Sequence, residues 1–448
     1  MKTVFTYTVF LCFALLSCKH NTSKCPKCPE CANFHAASHE IKVVTPTVTH
    51  TFLSLSDVHI NEDMIETYYG NVTGTQLWSR TKAKIEAVVK EEEPKFMVYL
   101  GDLPAYIDAT RAQNSHVMLE NLRNLEIGIP ILYLPGNNDS LEGDYHSFTN
   151  DEKETVLSED TDVSNPWPII NSNSTTIRPF NLDFNTEFGY YSVDLVDNGN
   201  VLKVIALNTV IFSNNKTHPY VGDDGVSQQE ATQKQMTWFE TTLQKLKPTN
   251  RVMLMMHIPI GKDGYGGDYM WKQSLTFKDQ AGVTHKLQNG FIDLLEKYQS
   301  NITGVLNGHT HTDGLRRIYK SHQSDKKRDM ISFSISTPGI AVNHDNNPAF
   351  KLFTYDSKTF DLLDFETFFA SPTKMISPKG DFKFMKDSSY TFSEVYQVKH
   401  MPTPIYKTLE NQSDTEIVSH VNETLGAHSQ YDKKVVLHHP EAVNVYKN

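Results

Sequence analysis

Val305-Leu306-Asn307-Gly308-His309-Thr310-His311 ends a predicted buried strand in a turn that carries two histidines. The apolar pair indicates the strand, and the glycine lets the backbone turn away from it. One residue separates the histidines, so in an extended turn both imidazoles point to the same side. Neutral imidazoles at this spacing suit a divalent metal ion. Alone, such a pair is more often a surface or structural feature, so the metal hypothesis depends on the rest of the chain.

Four other predicted strands end in a turn with an acid, an amide or a histidine. They are Thr51–Ser56 before Asp57-Val58-His59, Phe96–Leu100 before Gly101-Asp102, Pro130–Leu134 before Gly136-Asn137-Asn138-Asp139, and Val252–Met256 before His257. In open α/β sheets, ligands bind at the carboxyl ends of the strands. Seven side chains with nitrogen or oxygen donors are therefore expected to converge: Asp57, His59, Asp102, Asn137, His257, His309 and His311. They suffice for two metal ions if Asp102 bridges them, and such a pair can clamp a phosphoryl group.

The first three of these strands alternate with predicted helices at Trp78–Glu93 and Val117–Ile127. This rhythm indicates parallel strands joined by helical crossovers, and thus an α/β fold. Residues 140–187 are polar and are predicted to form an insertion over the cleft. Further strands are expected at 190–195, 204–207, 331–336, 350–355 and 360–366, and further helices at Gln228–Leu246 and Phe291–Tyr298.

Length and charge limit the classes of protein that fit. A chain of 448 residues is long enough for one large α/β domain or two smaller ones. The formal net charge of -11 argues against a nucleic-acid partner held through its phosphates. A small phosphorylated substrate remains compatible, because bound metal ions supply their own positive charge.

The N-terminus has the pattern of an export signal. Lys2 precedes an apolar run at Val4–Leu16, which is too short for a membrane span of ~20 residues. The run ends in Leu15-Leu16-Ser17-Cys18, which resembles the lipobox of bacterial lipoproteins. We therefore expect residues 1–18 to be a signal peptide. The protein would be secreted or held at the cell surface or periplasm by a lipid on Cys18, with ordinary secretion as the alternative.

All five cysteines lie in the first 31 residues, so the rest of the chain has no thiolate ligand, thiol nucleophile or disulfide. Residues 19–47 are predicted to be a linker. Cys25, Cys28 and Cys31 have zinc-like spacing, but a tetrahedral zinc site needs a fourth ligand. A polar tether with free thiols or an incidental disulfide is the favoured interpretation.

The ordered blocks resemble a known family. Asp57-x-His59, Gly101-Asp102, Gly136-Asn137-x-Asp139, His257 and Gly308-His309-x-His311 resemble the signature of calcineurin-like metallophosphoesterases. Details at 101–105, 308–313, 336–338, 346–350 and 355–356 resemble the acid sphingomyelinase-like phosphodiesterase branch. The resemblance implies a β-sandwich flanked by helices in four αββα layers. It places the catalytic domain at 48–370 and leaves 371–448 as an extension with helices that wrap the domain and a tail.

The resemblance also implies the chemistry. Asp57, His59 and His311 would hold one metal ion, and Asn137, His257 and His309 the other, with Asp102 bridging. Zinc is the expected metal, with manganese, iron or cobalt as alternatives. The implied reaction is hydrolysis of a phosphodiester or phosphoanhydride bond by a hydroxide that bridges the metals.

Two positions depart from the family and make Asn138 and Tyr106 the candidate catalytic residues. The family has a histidine where this chain has Asn138, and the branch has a second one where it has Tyr106. An amide donates no proton, and a tyrosine has an ordinary pKa of ~10. Losing general acid catalysis, worth ~10²–10⁴-fold, matters least when the leaving group is a phosphate. Nucleotide or polyphosphate-like substrates are therefore favoured, and Gly136-Asn-Asn-Asp139 also resembles the motif of endopolyphosphatases.

Two alternatives remain open. The chain could be a sphingomyelin phosphodiesterase in which Tyr106 or His146 supplies the proton, or a non-catalytic protein that binds metal and phosphate. The expected partners are a phosphorylated small molecule or lipid, and a membrane only through the N-terminal anchor. The sequence leaves the physiological substrate, the metal and the oligomeric state open.

Overall fold

The computed structural model describes residues 47–447 except 68–69, 161, 175–176, 224, 322–328, 372–385 and 429–434. The predicted signal peptide, the lipid anchor at Cys18 and the cysteine cluster lie outside the described residues. The described residues all belong to the unit Thr47–Asn448. None of its described helices has both the length and the apolar surface that a membrane span requires.

The described residues of this unit form both strands and helices. The strands are β1 (Thr49–Leu55), β2 (Met97–Tyr99), β3 (Ile131–Tyr133), β4 (Ile169–Ile170), β5 (Arg178–Phe184), β6 (Tyr191–Asp197), β7 (Asn200–Leu207), β8 (Arg251–Met256), β9 (Thr276–Lys278), β10 (Thr284–Lys286), β11 (Ile302–Asn307), β12 (Gly314–Tyr319), β13 (Met330–Ser336), β14 (Ala349–Asp356), β15 (Leu362–Ser371), β16 (Lys386–Thr391) and β17 (Asn444–Val445). The helices are α1 (Thr75–Glu92), α2 (Arg111–Arg123), α3 (Gln228–Gln244), α4 (Leu287–Lys297), α5 (Phe392–Val395), α6 (Ile405–Asn411) and α7 (Asp414–Thr424). Short 3₁₀ helices cover Asp108–Thr110, Thr209–Phe212 and Pro440–Val443.

Within the described residues the strands form two large sheets and one small hairpin. The order in the first sheet is β16-β15-β14-β1-β2-β3-β4, and in the second it is β17-β12-β13-β11-β8-β7-β6-β5. β1, β2 and β3 are parallel neighbours joined by α1 and α2, as the sequence predicts. β7, β8, β11 and β13 are parallel neighbours in the second sheet. Each parallel set therefore has all its strands ending at one edge of its sheet.

Apolar side chains pack in three layers. These lie between four layers of secondary structure, which form an αββα architecture. One layer lies between the sheets, and the other two lie beneath α1 and α2 and beneath α3 and α4. Strand alternation produces this division: Met253 and Met255 of β8 join the inter-sheet layer, whereas Leu254 faces the helices. The predicted α/β class and layer order are confirmed.

The helix predicted at Val117–Ile127 is wrong at both ends, because α2 spans Arg111–Arg123. Its first turn is polar in sequence, yet Arg111 is only 2 % exposed. The turn packs beneath the loop that follows β3, where Arg111 Nη1 donates to the Asn138 carbonyl oxygen at 2.9 Å. The polar start of this helix therefore supports one of the ligand-bearing turns.

Several strands have no counterpart in the sequence prediction. The insertion at 140–187 contributes β4 to the first sheet and β5 to the second. β12 lies inside the second sheet, and β16 forms an edge of the first. In the C-terminal segment, Phe392, Ile405 and Ile417 join the inter-sheet apolar layer. The domain boundary at residue 370 stays a prediction.

Candidate metal centre

The turns after five parallel strands bring the seven predicted side chains to one edge of the sandwich. Six of them are buried, and His309 is partly exposed. Five of these seven residues have a left-handed backbone conformation. They are Asp57, His59, Asp102, His309 and His311, with φ of 51°, 47°, 64°, 71° and 55°. Such backbone costs a non-glycine residue about 1–3 kcal/mol and concentrates at functional sites. Backbone hydrogen bonds stabilise this conformation, since the Asp57 amide donates to the Gly101 carbonyl oxygen and the His59 amide to the Asp102 carbonyl oxygen.

Asp57, His59 and His311 form the first cluster. His59 Nε2 lies 3.2 Å from His311 Nε2, and His311 Nε2 lies 3.5 Å from Asp57 Oδ1. The Asp57 carboxylate accepts hydrogen bonds from the Ser56 hydroxyl at 2.5 Å and from the His309 amide at 3.0 and 3.1 Å. His59 Nδ1 lies 3.0 Å from the Pro104 carbonyl oxygen, so it is the protonated nitrogen and Nε2 presents a lone pair to the centre.

Asp102, His257 and His309 form the second cluster, and Asn137 lies against it. His257 Nδ1 donates to the Leu100 carbonyl oxygen at 2.6 Å, which again leaves Nε2 as the ligand atom. Asn137 Oδ1 lies 3.0 Å from His257 Nε2 and 2.8 Å from His309 Nδ1. Its amide orientation follows from Asp144, which accepts from Asn137 Nδ2 at 2.7 Å.

Asp102 lies between the two clusters. Its Oδ2 is 3.3 Å from both His59 Nε2 and His257 Nε2. Its Oδ1 accepts from the Asn138 amide at 2.8 Å. One carboxylate is therefore within reach of both histidine sets, which is the position that a bridging ligand requires.

Side-chain nitrogen and oxygen atoms that can act as ligands face one another across this centre, and that arrangement fits divalent cations. His59 Nε2 faces His311 Nε2, and His257 Nε2 faces Asn137 Oδ1. Burial raises the pKa of Asp57 to about 6. Although burial opposes it, the Asp102 carboxylate raises the pKa of His257 to about 10. The site therefore favours a positive charge, and a donor set of nitrogen and oxygen suits zinc, manganese, iron or cobalt.

The two candidate catalytic side chains occupy different surroundings. Tyr106 stacks on His59, and its hydroxyl lies 3.1 Å from His59 Nε2 on the open side of the first cluster. Burial of that hydroxyl raises the pKa of Tyr106 well above 10. Asn138 is fully buried and donates from Nδ2 to Asp102 Oδ2 at 3.2 Å. Tyr106 thus faces the cleft, while Asn138 supports the central carboxylate.

Sequence reasoning assigned no role to three supporting residues. Asp144 orients Asn137, and His344 lies with its ring 4.4 Å from that of His311. Asp139 accepts from the amides of Gly136, Asp102 and Leu103 at 2.7–2.8 Å and so ties two ligand turns together. Asp139 had a signal as a member of the block Gly136-Asn137-x-Asp139, and Asp144 lies two residues before His146. His146 itself contacts Glu142 at 3.4 Å and is 29 % exposed.

The chain is similar to several known proteins. The family model for calcineurin-like phosphoesterases matches residues 50–313. The chain is 25 % identical over 326 residues to cyclic GMP-AMP phosphodiesterase SMPDL3A of Rattus norvegicus, covering 68 % of this chain and 63 % of that protein. It is 25 % identical over 375 residues to sphingomyelinase phosphodiesterase D of Dictyostelium discoideum, covering 80 % of this chain and 75 % of that protein.

The chain therefore spans less than two thirds of the rat relative's length. Among solved structures, a dimetal phosphatase from Danio rerio has a TM-score of 0.39 at 13 % sequence identity. That alignment covers 77 % of this chain and 99 % of the zebrafish protein.

Proposed function

Because the chain belongs to the calcineurin-like phosphoesterase family, and to its acid sphingomyelinase-like branch, we propose that it is a metal-dependent phosphoric ester hydrolase. It would cleave phosphodiester or phosphoanhydride bonds in nucleotide or polyphosphate-like substrates. The observation that carries the proposal is the position of Asp102 between two histidine sets, each of which has an imidazole Nε2 at 3.3 Å from its Oδ2.

We assign the ligands by the cluster in which each side chain lies. Asp57, His59 and His311 would hold one ion, and Asn137, His257 and His309 the other, with Asp102 shared. Zinc is the first candidate, because a set of histidine, carboxylate and amide suits it, and manganese, iron or cobalt are alternatives. When bound, such a pair activates water and neutralises the charge of a phosphoryl group.

The remaining side chains position the reactants. Asn138 anchors the Asp102 carboxylate, and Arg111 holds Asn138 by donating to its carbonyl oxygen and to Oδ1. Tyr106 keeps its proton at neutral pH and can donate a hydrogen bond to a substrate oxygen beside His59. A phenol with a raised pKa is a weak proton donor to an alkoxide. These groups therefore favour leaving groups that need no proton, such as a phosphate.

A substrate panel with the metal-loaded full-length protein tests this function. It compares ATP, polyphosphate, an aryl phosphodiester, cyclic GMP-AMP and sphingomyelin, with and without a chelator. We expect the anhydrides and the aryl diester to be cleaved well and sphingomyelin slowly. Fast cleavage of sphingomyelin would make the chain a sphingomyelin phosphodiesterase instead. Bound metal without any hydrolysis would make it a binding protein.

We further propose that the chain is exported and held at a membrane surface by a lipid on Cys18. The support is the apolar run Val4–Leu16 and the lipobox-like end before that cysteine. Replacement of Cys18 by alanine should move the protein from the membrane fraction to the soluble exported fraction. An unchanged distribution would contradict the anchor.

A further inference from the structure

Two neighbouring arginines on β12 are both buried, but they differ in their partners. Arg317 is 1 % exposed and donates to the Asp414 carboxylate, to Asn444 Oδ1 and to the Gln412 carbonyl oxygen. Arg316 is 6 % exposed, and among the described residues it has no carboxylate within ion-pair distance. Its Nη1 lies 3.4 Å from Ser336 Oγ, its Nη2 lies 3.8 Å from a methionine sulfur, and its Nε has no partner there.

An unpaired buried guanidinium is costly, because five N–H donors and a full charge lose their water. Burial lowers the pKa of Arg316 to about 10, so the group still keeps its charge at neutral pH. The nearest acid, Asp263, is not a direct partner, since its two oxygens accept the amides of Tyr265 and Gly266 at 3.1 and 2.7 Å. Arg316 therefore presents a positive charge without a directly bonded anion, although the charge of Asp263 acts on it.

Arg316 reaches the edge where the metal-centre turns begin. Ser336 Oγ, which its guanidinium approaches, donates to Asn307 Oδ1 at 2.5 Å, and Asn307 directly precedes the turn with His309. The sulfur against Nη2 belongs to Met270, in the loop that follows His257. The guanidinium thus lies between the ends of β11 and β13, next to the turn with His309, and the loop that follows His257.

We propose that Arg316 binds a second phosphate group of the substrate, the one next to the phosphorus that is attacked. The substrate class is then a phosphoanhydride, such as a nucleoside triphosphate or an inorganic polyphosphate, and this inference rests on the proposed function. A guanidinium matches phosphate with two parallel hydrogen bonds. The ligand reaches Arg316 by displacing the partly exposed side chain of Met270, which is unbranched and flexible.

The reaction balances without a general acid. Water adds to the attacked phosphorus, the bond to the bridging oxygen breaks, and the leaving phosphate keeps the electron pair. Near neutral pH, one proton of the water stays on a product phosphate and the other is released to solvent. Arg316 neutralises the charge that develops on the leaving phosphate, which is the task that a proton performs for an alkoxide. A buried cation here therefore complements the absence of histidine at Tyr106 and Asn138.

Kinetics of Arg316→Met in the full-length, metal-loaded protein test the proposal. Loss of a charge-assisted contact should lower kcat/KM for ATP about 10–100-fold. The loss for an aryl phosphodiester, which has no second phosphate, should be at least tenfold smaller. Arg316→Lys should keep part of the ATP activity. Lys262→Met removes a charge from the same side of the molecule at an exposed position, and it should leave both activities unchanged.

Two further measurements do not depend on turnover of ATP. Pyrophosphate should inhibit aryl diester hydrolysis more weakly in Arg316→Met than in wild type, whereas orthophosphate inhibition should change little. The Tm of Arg316→Met should be no lower than that of wild type, because the substitution removes an uncompensated charge.

Three results would overturn the inference. They are an equal loss on both substrates, unchanged pyrophosphate inhibition, and a lower Tm without a change in substrate preference. Each of them leaves metal-dependent hydrolysis intact and so removes only the role of Arg316. Absence of all hydrolysis by the wild-type protein would instead remove the proposed function and this inference with it.

Discussion

The two halves of the candidate metal centre differ in how firmly their ligands are held. In the half with Asn137 and His257, a second contact fixes each of these side chains: Asp144 orients the amide, and the Leu100 carbonyl oxygen orients the imidazole. In the half with Asp57 and His59, the Ser56 hydroxyl and the Pro104 carbonyl oxygen fix those two side chains, but His311 has a buried Nδ1 without a hydrogen-bond partner among the described residues. Two imidazoles lie against the His311 ring instead: His59 Nε2 is 3.2 Å from its Nε2, and the His344 ring is 4.4 Å away.

This difference predicts which of the two metal ions the protein binds more tightly. Outer contacts that orient a ligand typically change metal affinity 10–100-fold. We therefore expect the ion held by Asn137, His257 and His309 to bind first and leave last. The ion held with His311 should exchange more easily. Asp102 belongs to both halves and should be needed for both ions.

The largest effect is expected from Asp102→Ala, because this substitution weakens metal binding in both halves. Its oxygen lies 3.3 Å from a histidine of each cluster, so both ions lose a ligand. Hydrolysis of an aryl diester should fall at least about 10³-fold. Metal content measured after gel filtration should fall for both sites.

Asp197→Asn is the matched control for that variant. Asp197 is another buried carboxylate, bonded to Tyr355 and His50 away from the ligand turns. Its replacement should lower the Tm but leave metal content and kcat unchanged. A comparable loss of hydrolysis in both variants would mean that Asp102 acts through stability alone.

Removal of the metals should lower stability in two steps. A ligand that binds only the folded state adds about 4 kcal/mol when its free concentration is ~1,000 times its Kd. Adding a chelator gradually should therefore first reduce activity with a small fall in Tm, as the weaker ion leaves. A second, larger fall should follow at higher chelator concentration. A single step in Tm would contradict unequal metal affinities in the two halves.

Asp144→Ala should weaken only the half that contains Asn137. The amide loses the acceptor that directs Oδ1 towards His257, and affinity for that ion should fall about 10–100-fold. Isothermal titration should then show two sites of similar affinity. Asp108→Ala provides the control, because Asp108 is exposed and contacts Arg111 rather than a metal ligand. Unequal sites that persist in Asp144→Ala would contradict the role of Asp144.

Gly339→Ala should weaken only the other half, with the smallest expected effect. An added Cβ would lie 3.0 Å from His311 Nδ1 and 3.1 Å from the Asp57 Cβ. The imidazole must move by a few tenths of an ångström, so we expect a loss of less than about tenfold in affinity for that ion. Gly304→Ala creates equally tight contacts with Phe333 in the core and should leave metal affinity unchanged.

The sequence predicted the strands that lead to the metal centre, because each combines an apolar run with a polar turn. It missed β12 for a physical reason: Arg317 interrupts the face that carries Leu315 and Tyr319, and Arg316 lies on the opposite face with Ile318. The predicted ends of α2 were also wrong. Arg111 has a polar side chain, and it is buried because it contacts a turn that is distant in the sequence.

The supporting residues of the centre were mostly beyond the reach of sequence reasoning. His344 lies beside His311 only through tertiary folding, and nothing near it in the sequence indicates a metal. Asp144 lies within a polar insertion, where an aspartate is usually a turn residue. Motifs identify the atoms that point to the centre, whereas the contacts that orient those atoms depend on packing.

Metal titration of the full-length protein, with hydrolysis of an aryl phosphodiester measured on the same samples, tests the central claim most directly. We expect two ions per chain, bound with unequal affinity, and activity that appears only as the second ion binds. Hydrolysis in metal-free protein, or saturation at one ion with full activity, would contradict a shared centre built around Asp102.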